Sequence, residues 1–336
     1  MTDDMMDAIR VHEAGGPEVL RYERVPIPAL QAGEVLVRVH AVGVNPPDRY
    51  LRDGMRILPP ELRPHVPFPV ILGSDISGVV VAVADDVTSF AEGQAVFGLI
   101  RFPGALGEAY AEYVAAPASD LALTPVGLDH IHAAALPMAG LTAWQLLVDN
   151  GAGMVPPFQG TVHRPVPLDA SSRVLVNGAA GGVGHIALQL AKWKGAHVTA
   201  IASGRHEAFL RGLGADEVID YTTVGADEVP EGFDLVVDSV GGPTTGRFLR
   251  SVVPGGALYP VFFGPVDPAV AAERDVTVSS TQVQANGGQL ARIGELAAAG
   301  AVRIAIDGTF PLASAVAAHV RADEGHLQGK IVLTVA

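Results

Sequence analysis

The sequence predicts an α/β protein in which a doubly wound parallel sheet is joined to a mostly β-stranded part. Three observations predict it. Short apolar strands alternate with helices from residue 173 onward, which is typical of a parallel sheet covered by helices on both faces. A glycine-rich turn joins the first of these strands to its helix. Before residue 128, short β-rich runs with spaced glycines indicate a small, strongly bent barrel.

The stretch 173–203 carries the motif around which the second half is organised. Residues 174–176 have the composition of a strand that is buried on both faces. Apolar residues then recur at three- and four-residue steps over 182–194, which predicts an amphipathic helix that Gly195 ends. Residues 197–202 follow as a second strand. The pattern is therefore strand, glycine turn, helix and strand.

The turn itself resembles the dinucleotide fingerprint G-x-G-x-x-G, with Ala179 in place of the first glycine, followed by Gly181 and Gly184. Amides at the start of the helix have no helical partner and can bind a pyrophosphate. The alternative is a tight connection without a ligand. After the second strand, where an acidic residue would bind a free ribose 2′-hydroxyl, the chain has Ser203 and Arg205 instead. This position favours a cofactor with a 2′-phosphate.

Composition narrows the classes of partner. A chain of 336 residues with 49% hydrophobic residues suits two domains with cores of their own. A formal charge of −14 argues against a nucleic-acid or anionic-membrane surface, so small-molecule partners are expected. The sequence shows neither a signal-peptide pattern nor an apolar run of membrane-spanning length, and we expect a cytoplasmic protein without membrane association.

The chain contains no cysteine, which excludes disulfides, a thiol nucleophile and zinc sites built on thiolate. His130 and His132 stand at neighbouring strand or turn positions without a third ligand in view, so no metal site is expected. His185 falls in the first turn of the predicted helix. It could lie near a phosphate, but a solvent-facing side chain is expected.

Outside this stretch the predicted elements are less regular. Residues 42–50 form a loop with two prolines and several polar groups that enters a short helix, 129–147 is helical, and 150–172 is an irregular surface excursion. Further helices are predicted at 206–212, 243–251 and 288–299, and further strands at 217–220, 234–238, 257–262, 276–283 and 330–333. The strand 276–283 lies near the end of the parallel sheet, where an unpaired edge favours a homodimer.

Several segments in this order resemble the medium-chain dehydrogenase/reductase superfamily, and within it the zinc-free quinone oxidoreductase branch. They are residues 43–50, 73–80, 136–143, 177–184, 218–221 and 329–333. The resemblance implies a GroES-like β-barrel catalytic domain over 1–127 and a Rossmann cofactor-binding domain over 128–303. The segment 304–336 would return to the first domain, and the active site would lie in the cleft.

The resemblance also implies where the cofactor NADPH binds. Gly181, Gly182, Val183 and Gly184 would border the pyrophosphate. Ser203, Arg205 and Tyr221 would surround the 2′-phosphate and adenine ribose, with Lys330 a further candidate for that end. The residues approaching the nicotinamide half would be Thr142, Val240, Phe262, Phe263 and Gly264, although ordinary core packing also explains these positions.

By the same resemblance, Asn45, Asp48 and Tyr50 line the mouth of the cleft as catalytic candidates. Asn45 would orient the nicotinamide or the substrate carbonyl, and Tyr50 would hydrogen-bond the developing oxyanion or supply its proton. The alternatives are a turn held by Asn and Asp capping, and a tyrosine packed on the cleft wall.

The expected reaction is hydride transfer from NADPH to a quinone or an α,β-unsaturated carbonyl without metal. Without zinc as Lewis acid, a conjugated acceptor that spreads the negative charge is the easier substrate. Two alternatives stay open. One is a dedicated enoyl or carbonyl reductase, or a cyclase, of specialised metabolism. The other is an NADPH-binding protein with a structural or RNA-binding role, which the acidic charge disfavours.

Overall fold

The structure is a computed structural model that describes residues 4–151, 162–225, 228–262 and 264–335. Residues 152–161 of the predicted excursion at 150–172, and the candidate Phe263, lie outside the described residues.

The described elements are strands and short helices. The strands are β1 (Met5–Val11), β2 (Leu20–Pro26), β3 (Glu34–Val44), β4 (Val70–Ile71), β5 (Asp75–Val83), β6 (Ala95–Leu99), β7 (Tyr113–Pro117), β8 (Leu121–Leu123), β9 (Arg173–Asn177), β10 (His197–Ala202), β11 (Glu217–Asp220), β12 (Phe233–Asp238), β13 (Val252–Pro260), β14 (Thr277–Val278), β15 (Ile306–Pro311) and β16 (Lys330–Thr334). The α-helices are α1 (Pro46–Arg52), α2 (His130–Ala135), α3 (Pro137–Leu147), α4 (Gly182–Trp193), α5 (Glu207–Gly212), α6 (Pro268–Glu273), α7 (Gly287–Ala298) and α8 (Ala315–Glu324).

The second half folds as the predicted doubly wound sheet. Six parallel strands lie in the order β11-β10-β9-β12-β13-β14, so the chain runs outward from β9 in one direction and then crosses back to β12 on its other side. The β9–α4 turn therefore sits at the topological switch point, where ligands of such sheets bind. Val174 and Val176 of β9 are fully buried in a core shared with α3, α4 and α7.

The first half is built on a seven-stranded sheet, and strands from both chain ends meet in it. The path is β15-β16-β3-β5-β6-β8, with β7 also paired to β3. β16 runs antiparallel to β3, with Ile331 opposite Val44. The β-domain and the Rossmann domain of the predicted fold class are both confirmed, whereas the exact domain limits stay a prediction.

Three predicted elements differ from the structure. The strand expected at 276–283 is paired only over Thr277–Val278; beyond it, Ser280 and Thr281 donate side-chain hydrogen bonds to Pro260 O and Asn150 Oδ1. The helix expected at 243–251 is a 3₁₀ helix, Thr245–Ser251. The helix expected at 129–147 is two helices, because Pro137 has no amide to donate and begins a new helix.

The start of β16 reaches across to the glycine turn. Gly329 N donates to Ala180 O at 2.8 Å, and Gly181 and Gly329 form an isolated parallel bridge. The segment that enters the β-domain is thus fixed against the β9–α4 turn of the Rossmann domain. Among the described residues, no helix combines the length and apolarity needed to cross a bilayer.

Candidate active site

The loop predicted to carry the catalytic residues is held by a helix cap. Asn45 follows β3 and precedes α1, whose first two residues are prolines. The Asp48 carboxylate accepts a hydrogen bond from Asn45 N at 2.8 Å, as a residue at the third helical position does in a capping box. Pro46 and Pro47 fit the first helical turn, where no amide donor is needed.

Behind this cap lies a buried cluster of one ammonium, one amide and one carboxylate. Lys330 Nζ donates to Val44 O at 2.8 Å and, in a short hydrogen bond, to Asn45 Oδ1. Asn45 Nδ2 donates to Asp75 Oδ2 at 2.9 Å. Asp75 Oδ1 accepts from Met138 N at the start of α3. The cluster therefore joins the C-terminal strand, the loop and the linker helix.

Burial shifts the pKa of each charged group in and beside this cluster toward its neutral form. It raises the pKa of Asp48 to about 6 and that of Asp75 to about 7, with the Lys330 ammonium opposing both shifts. It also lowers the pKa of Lys330, against the attraction of the two carboxylates. Two carboxyl groups and one amine thus share a desolvated space in which burial and charge attraction act against each other.

Asn45 and Asp48 do not line the mouth of the cleft as predicted. Each is only 3% exposed. The amide of Asn45 is engaged on both sides, by Lys330 and by Asp75, within the protein interior. The capping alternative describes Asp48 correctly. Both residues instead position the loop that carries Tyr50.

Tyr50 is the candidate that faces the other domain. Its ring is partly exposed and lies 5.7 Å, centroid to centroid, from the ring of Phe262, which follows β13. Burial raises the pKa of the Tyr50 hydroxyl, so it is protonated at neutral pH and can donate. Within the described part of the chain this hydroxyl has no hydrogen-bond partner.

The glycine turn fits a pyrophosphate. Gly181, Gly182 and Val183 are partly exposed, and within the described residues the amides of Val183 and Gly184 donate to no protein acceptor. A Cβ at Gly184 would lie 2.2 Å from Gly178 O, so any side chain there would force the turn apart. The turn thus presents free donors at a helix N-terminus, as dinucleotide sites do.

His185 is not solvent-facing as expected. It is fully buried, with Nδ1 2.8 Å from Gly181 O, and Nε2 accepting from Ala305 N at 3.2 Å. Burial lowers its pKa to about 4, so it is neutral with the proton on Nδ1. The imidazole secures the turn to the segment before β15 rather than reaching a phosphate.

Lys330 is also displaced from its predicted place near the 2′-phosphate. Its ammonium points to Asn45 instead, because β16 runs antiparallel beside β3 and turns the side chain toward the β3–α1 loop. The aliphatic part of the Lys330 side chain lies beside the glycine turn, because a Cβ at Gly182 would lie 3.1 Å from Lys330 Cδ. Lys330 therefore connects the glycine turn to the loop that carries Tyr50.

The residues predicted for the 2′-phosphate end lie together at the ends of β10 and β11. Arg205 is exposed, and its Nη2 donates to His326 O at 2.7 Å. The Tyr221 hydroxyl, in a half-exposed side chain, is 3.4 Å from His326 Nδ1. Ser203 is partly exposed beside them. The loop before β16 thus contributes His326, which the sequence did not indicate, to this corner.

The residues predicted for the nicotinamide half differ in accessibility. Val240, after β12, is 59% exposed, and Phe262 and Gly264 are partly exposed. Thr142 is buried within α3, and its hydroxyl donates back to Met138 O at 2.6 Å, which agrees with the packing alternative for that residue. Val240 and Phe262 follow the carboxyl ends of adjacent strands, as ligand-contacting residues of this architecture do.

The histidines considered for metal binding have other partners. They lie in α2, not on a strand or turn as expected. His130 stacks on His40 with ring centroids 4.5 Å apart and hydrogen-bonds Ser77, and His132 contacts Asp129. Across the described ranges, no group of three or more His, Asp or Glu side chains has a geometry that could hold a metal ion.

Comparison with known proteins identifies this arrangement. Residues 31–126 match the alcohol dehydrogenase GroES-like domain family, and residues 213–333 match the zinc-binding dehydrogenase family. A chloroplast envelope quinone oxidoreductase homolog of Arabidopsis thaliana is 33% identical over 99% of both chains. The chain belongs to the quinone oxidoreductase branch of the medium-chain dehydrogenase/reductase superfamily.

Solved structures agree with this assignment. The quinone oxidoreductase of Coxiella burnetii superimposes with a TM-score of 0.85 at 33% identity, over 99% of this chain and 100% of the other. The Escherichia coli quinone oxidoreductase complexed with NADPH has a TM-score of 0.81 at 25% identity, over 98% and 99% of the two chains. The protein is an oxidoreductase, and its cofactor class is NAD(P)H.

Sequence reasoning missed the residues that surround Asp48 and Asn45. Asp75, Tyr110, His319 and Arg52 are buried and contact the loop or its partners across long sequence separations. One weak signal was present, since an acid at the start of an otherwise apolar strand is an unusual choice for a buried position. No local pattern reveals which residue neutralises it.

Proposed function

We propose that this protein transfers a hydride from NADPH to a quinone or an α,β-unsaturated carbonyl, without a metal ion. The observation that carries the proposal is the Tyr50 hydroxyl, a protonated donor without a protein partner among the described residues, opposite Phe262 at the domain boundary. The names of relatives in this branch support the substrate class.

The chain's own residues supply position and polarity. The amides of Val183 and Gly184 would hold the pyrophosphate, and Arg205 with Tyr221 would hold the 2′-phosphate. When bound, NADPH supplies the hydride. Tyr50 donates a hydrogen bond to the substrate oxygen as negative charge develops on it, and a conjugated acceptor spreads that charge. No residue among those described offers a stronger electrophile, which disfavours simple ketones.

The reaction class is tested by NADPH oxidation with a panel of quinones, enones and matched saturated ketones. We expect turnover with the conjugated acceptors, unchanged after dialysis against a strong chelator, because the chain has no cysteine for the usual zinc sites. Reduction of the saturated ketones alone, or activity that only zinc restores, would contradict the proposal.

Replacement of Tyr50 by phenylalanine tests its role. Tyr50→Phe keeps the packing on Phe262 but removes the donor, so we expect kcat to fall by about 10²-fold or more while the dissociation constant of NADPH changes little. Tyr22→Phe is the matched control, since that half-exposed tyrosine donates to Asp7 within the β1–β2 pair. Normal turnover of Tyr50→Phe would mean that solvent supplies the proton.

The preference for NADPH over NADH is part of the proposal and rests on Arg205. A guanidinium can bind a phosphate with two charge-assisted hydrogen bonds. We expect Arg205→Glu to raise the KM for NADPH by about 10-fold or more and to leave that for NADH nearly unchanged. Arg211→Glu makes the same charge change at the end of α5 and should affect neither. A wild-type preference for NADH would refute the assignment.

We also propose a cytoplasmic homodimer. β14 is the last strand of the parallel sheet, and the described residues provide no further strand to cover its outer edge. Multi-angle light scattering at micromolar concentration should give twice the chain mass of 34.7 kDa. A single species of the chain mass would refute the dimer.

A further inference from the structure

A line of buried hydrogen bonds leads from Asp48 to helix α8. Tyr110 Oη lies 3.2 Å from Asp48 Oδ2 and 3.0 Å from His319 Nε2. His319 Nδ1 lies 3.0 Å from Arg52 Nη1. None of these four residues is more than 5% exposed. The line joins α1, the segment before β7 and the C-terminal helix.

The direction of each hydrogen bond follows from the chemistry of its members. A guanidinium has donors only, so Arg52 donates and His319 Nδ1 accepts. A neutral imidazole then carries its single proton on Nε2, which donates to Tyr110 Oη. Because Tyr110 Oη accepts this hydrogen bond, its own hydroxyl proton is directed to Asp48 Oδ2. Arg52 is itself oriented by Asp323 Oδ2 at 3.0 Å and by Gly15 O.

We propose that His319 is a positioning residue for the reductase site: it fixes Tyr110 as a donor to Asp48 and thereby keeps the Asp48 carboxylate ionised as the cap on Asn45. The proposal rests on the proposed function, because its consequence for turnover passes through the loop that carries Tyr50. His319 acts on Asp48 through the Tyr110 hydroxyl, which lies between them.

Asp48 is sensitive to the loss of one donor because its surroundings oppose each other. Burial raises its pKa to about 6, while the amides of Asn45 and Gly73, the Tyr110 hydroxyl and the Lys330 ammonium lower it. The Asp48 charge in turn helps to raise the pKa of the nearby Asp75, after the larger effect of burial. His319 itself does not titrate near neutrality, because burial and Arg52 lower its pKa to about 3. The line therefore acts on Asp48 without changing its own charge.

The test is the pH profile of kcat/KM. Since the ionised Asp48 is the capping form, activity falls as the pH drops through its pKa of about 6, and the wild-type acid limb should lie there. Tyr110→Phe and His319→Leu weaken or remove the donor to Asp48, so each should move this limb upward by about one pH unit. His319→Gln should restore it, because its amide can accept from Arg52 and donate to Tyr110.

Two buried residues of the Rossmann domain are matched controls. Tyr259 and His163 are at most 1% exposed and hydrogen-bonded, Tyr259 to Val166 N and Arg164 O, and His163 to Ser279 and Leu146 O. Tyr259→Phe and His163→Leu should lower the melting temperature and leave the acid limb in place. If Tyr110→Phe and His319→Leu behave in the same way, the line is merely structural and the proposal is overturned.

A second readout separates this proposal from the proposed function. Titration of the Asp48 carboxyl carbon by ¹³C NMR, assigned with Asp48→Asn, reports its ionisation without any turnover. An upward shift both in Tyr110→Phe, which keeps the ring and its packing, and in His319→Leu supports the proposal even if no quinone or enone is reduced. An unchanged titration overturns it even if the wild type is an active reductase.

Discussion

The hydrogen bonds made by the buried ammonium of Lys330 are the interactions on which the candidate site depends. Lys330 begins the last strand, its stem passes the pyrophosphate turn at Gly182, and its ammonium ends on Asn45 and the carbonyl of Val44. Removing an ammonium from water is costly unless the charge is paired and hydrogen-bonded. The Asp75 carboxylate, 4.0 Å away, and two oxygen acceptors meet this requirement. The glycine turn and the loop that carries Tyr50 are thereby held by one side chain.

The same cluster explains why the loop's polar residues turn inward. Asn45 bridges Lys330 and Asp75. The Asp48 carboxylate accepts hydrogen bonds from the amides of Asn45 and Gly73 and from the Tyr110 hydroxyl. Both side chains are therefore engaged within the protein. Tyr50, by contrast, packs on Phe262 and keeps its hydroxyl available. A buried, hydrogen-bonded ammonium that holds the loop, together with one free hydroxyl donor on Tyr50, suits a reaction in which the cofactor carries the hydride and the protein supplies orientation.

The sequence predicted the fold well because its signals are local. The strand, turn and helix around Gly181 follow from periodicity and turn chemistry, and β9, α4 and β10 closely match the predicted ranges. The site was predicted less well. The errors at Asn45, His185 and Lys330 share one cause: each side chain is placed by partners at least 30 residues away, such as Asp75, Ala305 and Val44. No local pattern contains that information.

The placement of the C-terminal segment follows from these long-range contacts. His185 and Gln189 of α4 hydrogen-bond the backbone of Ala305 and Arg303, Lys330 reaches the loop, and His319 reaches Tyr110. The segment 303–335 thus contacts the helix that follows the glycine turn, the loop that carries Tyr50, and Tyr110 behind that loop. Because these hydrogen bonds are buried and directional, displacement of the segment would leave polar groups of its partners unsatisfied. The last strand and helix are therefore part of the framework of the candidate active site as well as of the β-domain.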